Sequence, residues 1–240
     1  MNMKQPLLAV GLLLGAASIN ANAALTSFIG AGNVGLVYSS LGNITWTQDG
    51  NLFKTLYDTD NDLVNQIVSL TPIYNDTAKG ERMIAAGDFN IEDGRMTWWG
   101  ANAFVNYLNS ISYGGSDLWR LPSAGSNPHV GYLQTSNELG QLFYNELGGV
   151  ANRPIPDSSY FINEQASVYW SGTEFTRDPN SVWYFLTNLG YQLTSSKSNQ
   201  LFVWAVSPGQ VPEVPLPGAV WLMGSGLLGL LGLKRRLKAG

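Results

Sequence analysis

Apolar residues recur at helical spacing in two long stretches of this chain. After Thr97 they fall at Trp98, Ala101, Val105, Leu108 and Ile111, the polar face holds Asn102, Asn106 and Asn109, and Gly114-Gly115 ends the pattern. After Thr135, which stands at capping-box distance from Glu138, one stripe carries Leu139, Leu142, Phe143 and Leu147 as far as Gly148-Gly149. A shorter pattern, Leu63, Val64, Ile67, Val68 and Leu70, is capped by Asn61 or Asp62. It must stop before Pro72, because a residue preceding proline avoids helical backbone.

The last third of the domain changes period. Residues 167–171, 182–187, 191–194 and 201–206 are short aromatic and β-branched runs, separated by turn-prone Asp178-Pro179-Asn180, Asn188-Leu189-Gly190 and Ser198-Asn199. They predict an antiparallel β-meander, while 34–39 and 44–47 read as two further short strands and 74–94 as loop. Helices first and strands last imply an α+β domain, two main helices lying on a meander, and not a wound βαβ sheet.

Both ends of the chain have a different composition. Lys4, an apolar run over 7–17 and the small-x-small pattern Ala21-Asn22-Ala23 make 1–23 a signal peptide read by the Sec translocon, with the mature chain starting near Ala24. Residues 24–43 form a Gly-rich N-terminal extension, 44–209 the domain, and 210–217 a Pro-punctuated linker ending in Val214-Pro215-Leu216-Pro217. The uncharged run over 214–233 is close to the roughly 20 residues that cross ~30 Å of hydrocarbon, so 218–233 is expected to be a transmembrane helix. The basic tail 234–240, with Arg235 and Arg236, is then expected to stay cytoplasmic while the domain lies across the inner membrane.

Export and charge narrow the chemistry. The chain has no cysteine, which removes disulfides, thiolate nucleophiles and Cys-ligated metals. Without Lys4 and the tail's four cations, eight Lys and Arg face seventeen Asp and Glu, a net of −9. That balance disfavours nucleic acid and other polyanions as partners. A composition 45% hydrophobic and 12% aromatic, with eight tryptophans, is enough for a substantial core without disulfide staples.

Two resemblances follow from these residues. Val214-Pro215-Leu216-Pro217, the Gly- and Leu-rich run from Trp221 and the Arg-rich end resemble a PEP-CTERM sorting signal of the VPLPA variant, with Gly218 where the variant carries Ala. That resemblance implies an exosortase-type protease that cuts near the Pro motif and delivers the protein to the cell surface, envelope or extracellular space of exopolysaccharide-producing bacteria. The second rests on ordered blocks: Trp46-Thr47-Gln48-Asp49, Gly94-Arg95-Met96-Thr97-Trp98, Gly114-Gly115-Ser116-Asp117-Leu118-Trp119-Arg120-Leu121-Pro122 and Glu138-Leu139-Gly140-Gln141-Leu142-Phe143-Tyr144. Tyr169-Trp170-Ser171-Gly172-Thr173-Glu174 and Val203-Trp204-Ala205-Val206 complete them. Over about 44–209 they resemble the Lcl C-terminal-domain family, which implies a C-type-lectin-like α+β fold, no established catalytic activity, and in some members sulfated-glycan binding or adhesion, the polyanion role being weakened here by the acidic surface. Leu118 departs from the family by standing between the acidic residue and Trp119.

Candidate sites are few. Asp58, Asp60 and Asp62 alternate as at the start of a Ca²⁺ loop, but Leu63 and Ser69 stand where an EF-hand needs Gly and Glu; a helix start rich in Asp is the other reading. Arg120, between Trp119 and Leu121, needs a carboxylate, and Glu174 is the expected partner in a structural ion pair. Trp183 and Tyr184 alternate on their strand, so one of them is a candidate ring platform for extracellular polysaccharide. His129, the sole histidine, sits in a loop and cannot build a His-rich metal site. A hydrolase would need convergent carboxylates, such as Glu138 with Glu146 or Asp178, and no catalytic motif declares one. No resident cofactor is expected. Arg95, Arg153 and Arg177 are the cations whose clustering would favour an acidic sugar over a neutral one.

Overall fold

The computed structural model describes residues 25–213. Among these residues three antiparallel sheets and four α-helices surround two adjoining cores. The first sheet runs β1(Leu25–Gly30)-β2(Val34–Ser39)-β3(Ile44–Thr47)-β10(Val206–Pro208) in space, so the last strand returns to lie beside the third. Helices α1(Leu52–Thr59) and α2(Leu63–Leu70) follow β3, and then a two-stranded hairpin, β4(Ile73–Asp76) and β5(Gly80–Met83). The long helix α3(Trp98–Ser110) leads through the Trp119-Arg120 segment to β6(Gly131–Tyr132) and α4(Glu138–Gly140), which continues as a π-helical turn over Gln141–Glu146. The third sheet has the order β6-β9-β8-β7, built from β7(Val168–Glu174), β8(Ser181–Leu186) and β9(Tyr191–Ser196).

Local sequence explains much of this. Thr97 caps α3 through Oγ1, which accepts the Gly100 N–H at 3.2 Å, and the helix buries Trp98, Ala101, Phe104, Val105 and Leu108. Helix α2 stops where Pro72 forbids another helical residue. The β8–β9 hairpin turns at Asn188-Leu189-Gly190, where Gly190 sits at φ +70° and an added Cβ would press on the Tyr144 ring.

The larger core joins α1, α2 and α3 to the buried faces of β7 and β8 and to Trp119; the smaller one gathers Trp46, Phe143, Phe161, Tyr169 and Trp204. Trp46 and Trp204 meet edge-on with centroids 5.4 Å apart. Four buried indoles donate to backbone carbonyls: Trp98 to Ser171, Trp119 to Tyr113, Trp170 to Met96 and Trp204 to Thr47. Each bond removes the cost of burying an indole N–H and fixes one stretch of backbone to one core residue.

The architecture corrects the expected fold class. In place of two main helices on one meander, strand outweighs helix among the described residues, 30% against 22%, and the helices are few and mostly short. The α+β description fits in part, and the C-type-lectin-like assignment is not supported. The physical reason is that the expected fourth strand of the meander is shared. Residues 201–205 pair with the third sheet through the bridge of Tyr169 to Phe202, while β10 pairs with β3 in the first sheet.

The stretch 24–43, expected as an extension, supplies the β1–β2 hairpin of that first sheet. The expected loop 74–94 holds the β4–β5 hairpin and a tight turn at Ala86–Asp88. Asn137, not Thr135, caps α4, its Oδ1 accepting the Gly140 N–H. Among the described residues no helix is long and apolar enough to cross a membrane. The signal-peptide residues Ala21 and Ala23, the sorting motif Val214, Pro215, Leu216 and Pro217, the expected membrane helix 218–233 and Arg235 and Arg236 lie outside the described residues.

Candidate functional site

One end of the third sheet is opened into a cleft of about 440 Å³. One wall is the loop 125–130, with Ser126, Asn127 and His129; the other is the end of β7 and the β7–β8 turn, with Thr173, Glu174, Phe175 and Arg177. Trp183 closes the inside, 4% exposed, and the half-buried Phe175 ring meets it edge-on at 5.4 Å. The β7–β8 turn is held by Asp178, whose carboxylate accepts from the Asn180 N–H and side chain and from Ser181 Oγ. The Ser181 hydroxyl, then the Asn180 backbone and amide groups, keep that carboxyl below its usual range.

The opposite wall is held by a relay of polar contacts. Arg120 grips Glu138 with two parallel bonds of 2.8 and 2.7 Å, and Glu138 Oε2 also accepts the Ser123 N–H at 2.7 Å. One residue on, the Ala124 N–H donates to Thr173 Oγ1, tying the loop to β7. Gly125 can make this bend because it sits at φ +91°, with an added Cβ only 2.8 Å from the Ser136 carbonyl oxygen. The hydrogen bonds that Arg120 donates to Glu138 raise its pKa further, against partial burial.

The ion pair expected for Arg120 is therefore corrected. Its partner is Glu138, and it is 41% exposed at the side chain, not buried. Glu174 turns the other way. Its Oε2 accepts from Lys197 Nζ at 2.8 Å and its Oε1 from Thr77 Oγ1 at 2.6 Å. Sequence spacing cannot rank Glu138 against Glu174, since both lie far along the chain and only the packing of α4 against 120–123 chooses.

Lys197 is the feature that sequence reading missed. It follows β9 in a polar Ser-rich turn, yet its side chain is 0% exposed. Both oxygens of Asp76 stand 2.9 and 2.8 Å from Nζ, and the Trp98 ring centroid is 4.6 Å away. Asp76 also accepts from the Trp99 indole and from the Ala78 and Lys79 N–H groups. Burial alone would raise the Asp76 carboxyl, but the Lys197 and Trp99 bonds, the Ala78 N–H and the Lys197 charge together hold it low. Nearby, burial and then the Glu174 and Asp76 charges push the Tyr74 phenol up to about 12.

The other predicted residues separate in space. Asp58 pairs with Lys54, Asp60 accepts from Gln66 and from the Asp62 N–H, and Asp62 accepts from Asn65. The three carboxylates thus serve the α1–α2 corner, and among the described residues no group of His, Asp and Glu could hold a metal ion. Tyr184 is half-buried against the larger core, on the strand face opposite Trp183. Neither presents a free ring face as expected; the ring at the cleft mouth is Phe175, in a turn that carried no pattern. Glu146 accepts from Ser39 Oγ, while Glu138 is taken by Arg120 and Asp178 by its own turn. Of Arg95, Arg153 and Arg177, only Arg177 lines the cleft. Leu118 is 58% exposed, so the residue that departs from the family pattern projects outward and leaves Trp119 seated.

No curated protein and no solved structure matches this chain. The family model of the Lcl C-terminal domain matches residues 35–207, which run from β2 to β10 and include both walls of the cleft, and the match suggests a secreted or cell-surface protein. The chain belongs to the Lcl C-terminal domain family.

Proposed function

We propose that this is a non-enzymatic exported protein of the cell envelope or extracellular matrix whose domain binds a neutral saccharide in the cleft beside Phe175. The observation that carries the reading is the make-up of that cleft. A half-buried ring, backed edge-on by Trp183, stands among Ser126, Asn127, Thr173 and Thr176. A ring face packs on sugar C–H groups, and neutral amides and hydroxyls bond sugar hydroxyls at little cost in desolvation. The exported part carries a net charge of −9, which repels sulfated or uronic chains at long range. Delivery rests on the sequence of the two ends: the leader over 1–23 for export, and Val214-Pro215-Leu216-Pro217 with Arg235 and Arg236 for an exosortase-type protease.

The test is a glycan array followed by titration of hits across a salt series, with Phe175→Ala and Asn127→Ala as variants. Neutral ligands should bind with little salt dependence, and each variant should weaken them about tenfold, the loss of one stacking or bonding contact. Tight heparin binding that collapses with added salt, or neutral binding untouched by both variants, would reject the reading.

A further inference from the structure

Buried Lys197 and Asp76, with the half-buried Glu174 beside them, form a group with the parts of an amide-forming site. Lys197 Nζ lies within 2.9 Å of both Asp76 oxygens. An atom so placed stands roughly 3 Å from the carboxyl carbon, inside the near-attack range. Glu174 Oε2, 2.8 Å from the same Nζ, is in position to take a proton from it, and Thr77 Oγ1 holds the other oxygen of that carboxylate. Oδ1 of Asp76 accepts the Ala78 N–H at 3.0 Å and the Lys79 N–H at 3.1 Å, two fixed donors aimed where negative charge would develop. The Trp99 indole donates to Oδ2 at 2.8 Å. Trp98 lies against Nζ, and neither Lys197 nor Asp76 has solvent-exposed side-chain surface.

The geometry points to a covalent modification: Lys197 and Asp76 condense to an intramolecular isopeptide bond, with Glu174 as the proton carrier. In water the ammonium and carboxylate would stay ionised and unreactive. Lys197 and Asp76 rest as an ion pair; the step starts from the minor form in which one proton has passed from Nζ to Asp76 Oδ2, and exclusion of water keeps that neutral pair within reach. The amine lone pair then attacks Cγ, the Nζ–Cγ bond forms, and the negative charge on Oδ1 is met by the Ala78 and Lys79 N–H groups. Glu174 takes the remaining extra proton of Nζ and passes it to the departing Oδ2 hydroxyl. The Cγ–Oδ2 bond breaks, water leaves, Glu174 ends as it began, and no oxidant or second reagent is needed.

The product joins β4 to the turn after β9 across 121 positions of sequence. A chain without cysteine thereby closes a long loop covalently, as a disulfide would, but in a form that reductants do not open. This inference stands apart from saccharide binding, since it uses no saccharide and has its own readout.

The experiment is peptide mass analysis of the folded, full-length protein produced with its own leader and tail. Trypsin should leave peptide 55–79 joined to the peptide that begins at Asp178, uncut at Lys197, about 18 Da lighter than the two together. Asp76→Asn should give the same junction with about 17 Da lost, since ammonia leaves instead of water. Glu174→Gln should keep the circular dichroism of the parent and yield both peptides unlinked. Free 55–79 with normal cutting after Lys197 in the folded parent would overturn the proposal, as would a junction formed undiminished in Glu174→Gln. Should Glu174→Gln fail to fold, the Asp76→Asn mass difference still decides, because an ion pair alone leaves both variants at their full masses.

Discussion

Trp119→Ala tests how the core is held around the segment that carries the cleft wall. The indole is 2% exposed, packs edge-on against Tyr113 at 6.0 Å and donates from Nε1 to the Tyr113 carbonyl at 2.8 Å. Its backbone is clasped by Asn109, which accepts from the Trp119 N–H and donates to the Trp119 carbonyl. Truncation removes the ring, leaves a cavity and strands a partly buried carbonyl, a loss of about 3–5 kcal/mol. For a body of roughly 190 residues, that lowers Tm by about 10 °C. Trp119→Phe keeps most of the packing and loses the hydrogen bond, so about 1–2 kcal/mol is expected. Both follow from calorimetry of purified variants beside the parent. A Trp119→Ala protein melting within about 2 °C of the parent would refute the placement of this ring at the centre of the larger core.

Arg120→Ala and Glu138→Ala should each lower stability, with a double-mutant coupling of roughly 1–2 kcal/mol, held down because the Arg120 end is partly solvated. Glu138→Ala should cost more than Arg120→Ala, because it also frees the Ser123 N–H; urea unfolding of the four proteins measures both statements. At high pH, the Tyr74 and Tyr113 phenols are raised from 10.0 to about 12, the second by burial and then the Asp49 charge. Between these values the folded protein holds protons that the unfolded chain has released, so stability should fall as pH rises from 10 toward 12. Ultraviolet titration of tyrosinate beside thermal melts would show otherwise if ionisation near pH 10 were complete with no loss of Tm.

The sequence by itself determined the local elements whose causes are local. Thr97 and the apolar stripe behind it define α3, Pro72 ends α2, and Asn188-Leu189-Gly190 marks the β8–β9 turn, because caps, stops and turn residues act within a few positions. The ordered tryptophan blocks likewise placed the chain in its family over nearly the matched span. Tertiary structure alone decided the partners. Arg120 meets Glu138 because the 120–123 segment lies on α4, β10 leaves the meander because β3 offers it an open edge, and 25–39 becomes sheet because β3 needs a second neighbour. Lys197 could not be read from a Ser-rich turn, since burying an ammonium depends on two carboxylates 121 and 23 positions away and on an indole from α3. Such choices are made by packing and desolvation between distant segments, and no short-range pattern encodes them.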